Sequence, residues 1–87
     1  MRGFRVVTAV GELRVGRIAG SQGDYYIVRK SFSRRRYPLP KREAVVDSER
    51  RLVLMKVPRR VLFDAPRVHR DGELDPATDG CYSEEVI

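Results

Sequence analysis

The first half of the chain alternates short runs of β-branched and aromatic residues with glycine. Residues 4–10 predict a first strand and residues 13–18 predict a second, with a tight turn at Gly11 between them. Gly16 lies inside the second run and indicates a bulge or a close approach of two backbones. A five-residue loop at residues 20–24 is expected to follow. This pattern is typical of strands that bend within a small sheet.

The next two predicted strands are separated by a basic loop. Tyr25–Lys30 is the clearest strand, because its residues alternate so that Tyr25 and Tyr26 face opposite sides. Residues 37–40 must be extended, since each of the two prolines fixes φ and pushes the preceding residue out of the helical region. Such a segment is expected at a sheet edge. The loop between the two strands, residues 31–36, reads Ser-Phe-Ser-Arg-Arg-Arg.

The following residues predict a hairpin and one helical turn. Ala44–Asp47 and residues 51–57 form the hairpin. A single helix over residues 41–56 is the alternative, but clustered valines and leucines would then point outwards, so strands are favoured. Pro58 stops the last strand and suits the start of a short helical turn at Arg59–Asp64.

Six short strands with glycine and proline between them predict an all-β fold. The expected architecture is a small, six-stranded, antiparallel β-barrel with a short helical turn near residues 59–64. Closure into a barrel would remove the exposed strand edges that favour aggregation.

Several of these segments resemble the motifs of PRC-barrel domains. Residues 11–18, Gly-Glu-Leu-Arg-Val-Gly-Arg-Ile, resemble the opening G-x-x-V-G-x-V of that family. Tyr25–Lys30 is similar to the strand that follows, and residues 37–40 are similar to the family's hPhP segment. Ala44–Asp47 together with residues 51–57 resembles the closing hairpin.

The resemblance spans about residues 4–66 and is closest to small, stand-alone bacterial members of the family. It implies a six-stranded barrel with a short helical turn. In the bacterial ribosome maturation factor and in the photosynthetic reaction centre H subunit, such a barrel is a docking and assembly module and not an enzyme. This sequence has neither the N-terminal domain of the first nor the membrane helix of the second. The resemblance therefore implies only binding to a protein or ribonucleoprotein surface.

Charge divides the 87 residues into two parts. Residues 1–70 hold all 18 Lys and Arg against six carboxylates, a net charge of +12, and are expected to form the barrel domain. Residues 71–87 hold six carboxylates and no Lys or Arg, a net charge of −6. This acidic tail is expected to be a flexible solubilising segment, to fold back on the basic body, or to extend to a second molecule. A body this small is marginally stable, so a homodimer is compatible with it.

The basic residues and the aromatics beside them are the candidate binding site. Guanidinium groups form bidentate bonds with phosphate or carboxylate, and a neighbouring aromatic ring stacks on a base. The predicted partner-binding residues are Arg29, Lys30, Phe32, Arg34, Arg35, Arg36, Tyr37, Arg59 and Arg60. The leading hypothesis is a non-enzymatic module that docks on an acidic protein or ribonucleoprotein surface. The alternatives are direct binding of single-stranded RNA or DNA, and a solvated loop whose aromatic residues pack inwards.

The sequence offers no catalytic, cofactor or metal site. His69 and Cys81 are its single histidine and cysteine, whereas zinc needs three or four ligands. A lone cysteine also fits a reducing compartment, and no apolar run approaches the roughly 18 residues of a membrane span. We therefore expect a soluble cytoplasmic protein without a cofactor.

Overall fold

The computed structural model describes residues 2–69, 73–76 and 78, and these residues form one six-stranded sheet with one short helix. The strands are β1 (Arg5–Thr8), β2 (Arg14–Gln22), β3 (Tyr25–Lys30), β4 (Arg36–Pro40), β5 (Ala44–Asp47) and β6 (Leu52–Met55). A 3₁₀ turn at Lys41–Glu43 joins β4 to β5, and helix α1 spans Arg59–Asp64. The all-β prediction is confirmed.

The sheet is mixed and open, so the prediction of a closed antiparallel barrel is wrong in both respects. Its strand order is β4-β3-β2-β1-β6-β5, with β4 and β5 at the edges. Every neighbouring pair is antiparallel except β1 and β6, which are parallel. The cause lies in the number of chain reversals. The 3₁₀ turn after β4 does not reverse the chain, so the β5–β6 hairpin brings β6 alongside β1 in the same direction.

The main core lies on one face of this sheet and is closed by the helix. Its buried members are Val6, Val15, Ile18, Val28, Tyr37, Leu39, Val53, Met55 and Leu62. Leu62 is the buried residue of α1, and it joins the helix to the strands. Burial of each such side chain contributes about 1.5–3 kcal/mol, so this cluster is the main source of stability.

The predicted local elements are largely present. Strands β5 and β6 form the predicted hairpin, so the alternative helix over residues 41–56 is wrong. Strand β4 is the predicted extended edge strand, and α1 has the predicted bounds. The two tyrosines of β3 lie on opposite sides: Tyr26 packs against the main core, and Tyr25 packs in a smaller cluster with Ala65. The prediction of a five-residue loop at residues 20–24 is wrong, because β2 continues to Gln22.

Two bulges bend β2. Opposite β1, Val6 pairs with Gly16 and Val7 with Arg14, so Val15 is the extra residue. Opposite β3, the pairing skips Ala19. The predicted close approach of two backbones at Gly16 is confirmed, because a Cβ atom there would overlap the backbone carbonyl oxygen of Arg29. Only glycine lets the two strands approach this closely.

After α1 the described chain returns to the sheet. The amide of Val68 donates a hydrogen bond of 2.9 Å to the carbonyl of Arg36 on edge strand β4. Leu74 packs against the cluster of Tyr25 and Ala65, and Thr78 is buried. The other residues of the predicted acidic tail, 71, 72, 77 and 79–87, lie outside the described residues. The described part of the chain contains no helix with the length and apolarity that a membrane crossing requires.

A basic groove as the candidate functional site

Four arginines stand opposite one another across four neighbouring strands. Arg5 on β1 pairs with Arg17 on β2, Arg17 pairs with Arg29 on β3, and Arg29 pairs with Arg36 on β4. Directly paired residues share one face of a sheet. Since neighbouring strands lie about 4.8 Å apart, the four backbone positions span about 14 Å. We call Arg5, Arg17, Arg29 and Arg36 the arginine row.

The arginine row concentrates charge without a matching set of carboxylates. Like charges directly opposite each other in a sheet are destabilising. Among the described residues, no carboxylate forms an ion pair with a member of the row. Arg17 donates a hydrogen bond of 3.0 Å from Nη1 to the carbonyl of Gly3. Within the described part of the chain, the row therefore carries an electrostatic cost that an anionic ligand would remove.

Three members of the row line a concave cavity of about 550 Å³. We call this cavity the basic groove. Its lining residues are Arg5, Val6, Val7, Glu12, Arg14, Gly16, Arg17, Arg29, Lys30, Ser31 and Phe32. Five of these residues are cations and one is a carboxylate, and although the ammonium of Lys30 lies over the Phe63 ring, the four arginines make the groove electropositive.

Glu12, the carboxylate of the groove, is already engaged by an arginine from another hairpin. Arg50 donates to Glu12 from Nη2 at 2.9 Å and from Nη1 at 3.3 Å. This hydrogen bond and the carboxylate charge of Glu12 raise the pKa of Arg50. Because Arg50 neutralises Glu12, the carboxylate offsets little of the charge of the arginine row.

Phe32 presents a fully exposed ring at the rim of the groove. Its exposed fraction is 95%, and its φ of 60° lies in the left-handed region that bulky residues rarely adopt. The guanidinium carbon of Arg14 lies 5.6 Å from the ring centroid, a cation–π contact. The amide of Ser31 also donates to the carbonyl of Val15, which ties the loop to β2. The ring is thus held out towards solvent beside cations.

The sequence-predicted residues of β3 and the following loop divide into two groups. Arg29, Lys30 and Phe32 line the groove, and Arg36 extends the arginine row beyond it. Arg34 and Arg35 are exposed in the β3–β4 loop but do not line the groove. The run of three arginines that dominates the sequence is therefore not the centre of the cationic surface.

Tyr37 is predicted at the partner surface, but it belongs to the core. Its exposed fraction is 4%, and its ring centroid lies 5.2 Å from that of Phe63. The ammonium of Lys30 lies 4.6 Å from the centroid of the Phe63 ring and covers this aromatic pair. Tyr37 is on the core face because β4 alternates, which places Arg36 and Pro38 on the other face.

The two arginines of α1 differ in position. Arg59 donates a hydrogen bond of 3.3 Å to the carbonyl of Arg14, so it supports the backbone at one side of the groove. Arg60 is exposed on the helix and does not line the groove. Sequence reasoning missed Arg5, Arg14 and Arg17, which do line it. Each of them lies on a predicted strand, but that they share one face follows only from the register, which the two bulges of β2 set.

No family model, no curated protein and no solved structure matches this chain.

Proposed function

We propose that this protein is a non-enzymatic docking module that binds an acidic protein or ribonucleoprotein surface through the basic groove. The observation that carries the proposal is the arginine row, whose side chains share one face without ion-paired carboxylates among the described residues. Neighbouring guanidinium groups on a rigid sheet suit a partner with several phosphates or carboxylates close together.

The composition of the groove supports binding over catalysis. Among the described residues, the lining contains neither histidine nor cysteine, so the hydroxyl of Ser31 has no imidazole base in the lining, and Glu12 is held by Arg50. A hydrolase or transferase needs a nucleophile or a general base aimed at the reacting atom. The cations instead favour electrostatic steering of an anionic partner and fast association. We also propose, from the motifs in residues 4–66, that the chain is related to PRC-barrel domains, and such a relationship would agree with a docking role.

Polyanion binding by matched charge variants tests the proposal. Arg17→Gln combined with Arg29→Gln removes two charges from the groove, and Arg34→Gln combined with Arg35→Gln removes two from the loop outside it. Polyglutamate and heparin serve as probes at about 50 mM salt, where electrostatic contacts are strong. We expect the groove variant to weaken binding at least tenfold and the loop variant much less.

Two results would overturn the proposal in different ways. Equal losses in both variants would show that total charge and not the groove governs binding. The absence of wild-type binding to either polyanion would remove the docking function itself. Circular dichroism of each variant checks that the sheet is retained.

A further inference from the structure

We infer that the basic groove binds a single strand of nucleic acid, with phosphates on the arginine row and one base stacked on Phe32. The inference rests on the proposed function and deepens it by naming the chemistry of the partner. It explains two observations together: the regular spacing of the arginines and the exposure of one aromatic ring. Docking on an acidic surface would require only the first.

The arginine row matches a polymer whose charges recur at regular intervals. Its steps are fixed by strand spacing, about 4.8 Å at the backbone, and long side chains adjust the position of each guanidinium. A nucleic-acid strand carries one phosphate per nucleotide, about 3.4 Å apart along the axis when stacked and farther apart when extended. Arg5, Arg17 and Arg29 line the groove in this order and so define a path across β1, β2 and β3.

Phe32 gives the groove a second kind of contact. A cationic groove that follows the backbone, together with an aromatic platform for the bases, is the usual means of binding single strands. The contact between Phe32 and Arg14 places a cation directly beside the ring, where phosphate and base of one nucleotide would lie. A purely acidic peptide such as polyglutamate would satisfy the arginines but carries no aromatic ring to stack on an exposed ring held at positive φ.

An unpaired strand fits this arrangement better than a duplex. In a duplex the faces of the bases are covered by their stacked neighbours, so an aromatic ring reaches them only at an end or a distortion. Phe32 lies at the rim of a groove whose three row arginines, on β1, β2 and β3, span about 10 Å at the backbone, a short path that one strand can follow. Single-stranded RNA and DNA share the phosphates and base faces that the groove would contact.

Fluorescence anisotropy on the full chain tests the inference. The probes are oligouridylate and oligothymidylate of about 12 nucleotides, a length within the usual range for such sites, a duplex of the same length, and polyglutamate. The variants are Phe32→Ala and Phe32→Tyr, both at a fully exposed position, with the Arg17→Gln and Arg29→Gln double variant. Unchanged melting temperatures for the Phe32 variants exclude a structural effect.

We expect wild type to prefer single strands over the duplex. Phe32→Ala should weaken single-strand binding about tenfold, as loss of one stacked base does, and leave polyglutamate binding unchanged. Phe32→Tyr should retain binding, because tyrosine also stacks. In the arginine double variant, the slope of log affinity against log salt should fall by about 0.7 for each phosphate that the groove no longer neutralises.

The outcomes separate this inference from the function on which it rests. If polyglutamate binds through the groove but oligonucleotides do not bind, the partner is an acidic protein and the inference is wrong while the docking function stands. Equal loss of both probes in Phe32→Ala, or a duplex bound as well as a single strand, also overturns the inference. If no polyanion binds, both proposals fail.

Discussion

The two faces of strands β1–β4 are built from alternate residues of the same short segments, yet they differ in chemistry. One face carries Val6, Val28 and Leu39 and forms the main core, whereas the other carries the arginine row beside the buried Tyr25 and Ile27. The main core gains free energy from burial, whereas the arginine row accumulates like charges that destabilise the sheet. Strand register determines both faces at once, so a surface that costs stability is maintained by the core behind it.

The largest expected effect comes from a change that disturbs both faces. Gly16→Ala places a Cβ atom against the backbone carbonyl of Arg29, so β2 and β3 must separate. We expect a loss of unfolding free energy of about 3 kcal/mol, at the upper end for overpacking, together with loss of polyanion binding. Urea unfolding followed by circular dichroism measures the first quantity, and anisotropy measures the second.

Gly20→Ala is the matched control for this change. Gly20 lies in the same strand, but a Cβ atom there would meet no heavy atom within 4 Å. We expect its stability to stay within about 0.5 kcal/mol of wild type, as for ordinary surface substitutions. A similar loss in both variants would show that the close approach at Gly16 is not what β2 requires.

A smaller effect, of opposite sign, is expected from the charged face alone. Arg29→Thr removes the repulsion of Arg29 with both Arg17 and Arg36 and introduces a good strand former. We expect a gain in unfolding free energy of about 0.5 kcal/mol at low salt, with weaker polyanion binding. The gain should shrink as added salt screens the repulsion.

Arg34→Thr is the control for Arg29→Thr, because it removes the same charge from the loop. Urea titrations of both variants at low and high salt compare them directly. If Arg29→Thr lowered stability at every salt concentration, the arginine row would not be a source of electrostatic strain in the sheet.

The smallest effect should come from the ion pair at the rim of the groove. Arg50→Gln leaves the carboxylate of Glu12 without its guanidinium partner, so the groove gains an uncompensated negative charge. Since exposed pairs contribute little to stability, folding should be almost unchanged, while polyanion affinity should fall about two- to threefold at low salt. Arg51→Gln removes the same charge from the neighbouring residue and should weaken binding less. Equal affinities for the two variants would contradict the role of Glu12.

The apolar face could be predicted from the sequence, and the charged face could not. Alternation in Tyr25–Lys30 and the prolines of β4 identify their strands without any knowledge of partners. The arginine row depends instead on a bulge. A regular hairpin that turns at residues 23 and 24 would pair Arg17 with Lys30, and the extra residue Ala19 shifts that pairing to Arg29. Bulges depend on tertiary contacts that local residue patterns do not encode.

Phe32 is among the predicted binding residues, but the direction of its ring and the opening of the sheet could not be predicted, for related reasons. A phenylalanine beside arginines predicts either an inward or an outward ring, and its positive φ decides between them in the folded loop. The predicted number of strands is right, but the topology depends on whether the three residues Lys41–Glu43 reverse the chain. A short 3₁₀ turn gives no sequence signal strong enough to decide this.

The parallel pairing of β1 with β6 also has a consequence for the order of folding. Arg5 lies beside Leu52, so β1, which is synthesised before the other five strands, obtains its second neighbour only after almost the whole sheet has been made. The meander β1–β4, which carries the groove, needs only local turns, whereas docking of β6 on β1 closes the longest loop between paired strands, and we expect it to be the slow step of folding. Until β6 arrives, the free edge of β1 is open to other chains. We expect nascent chains that stop before residue 52 to be the species most prone to aggregation.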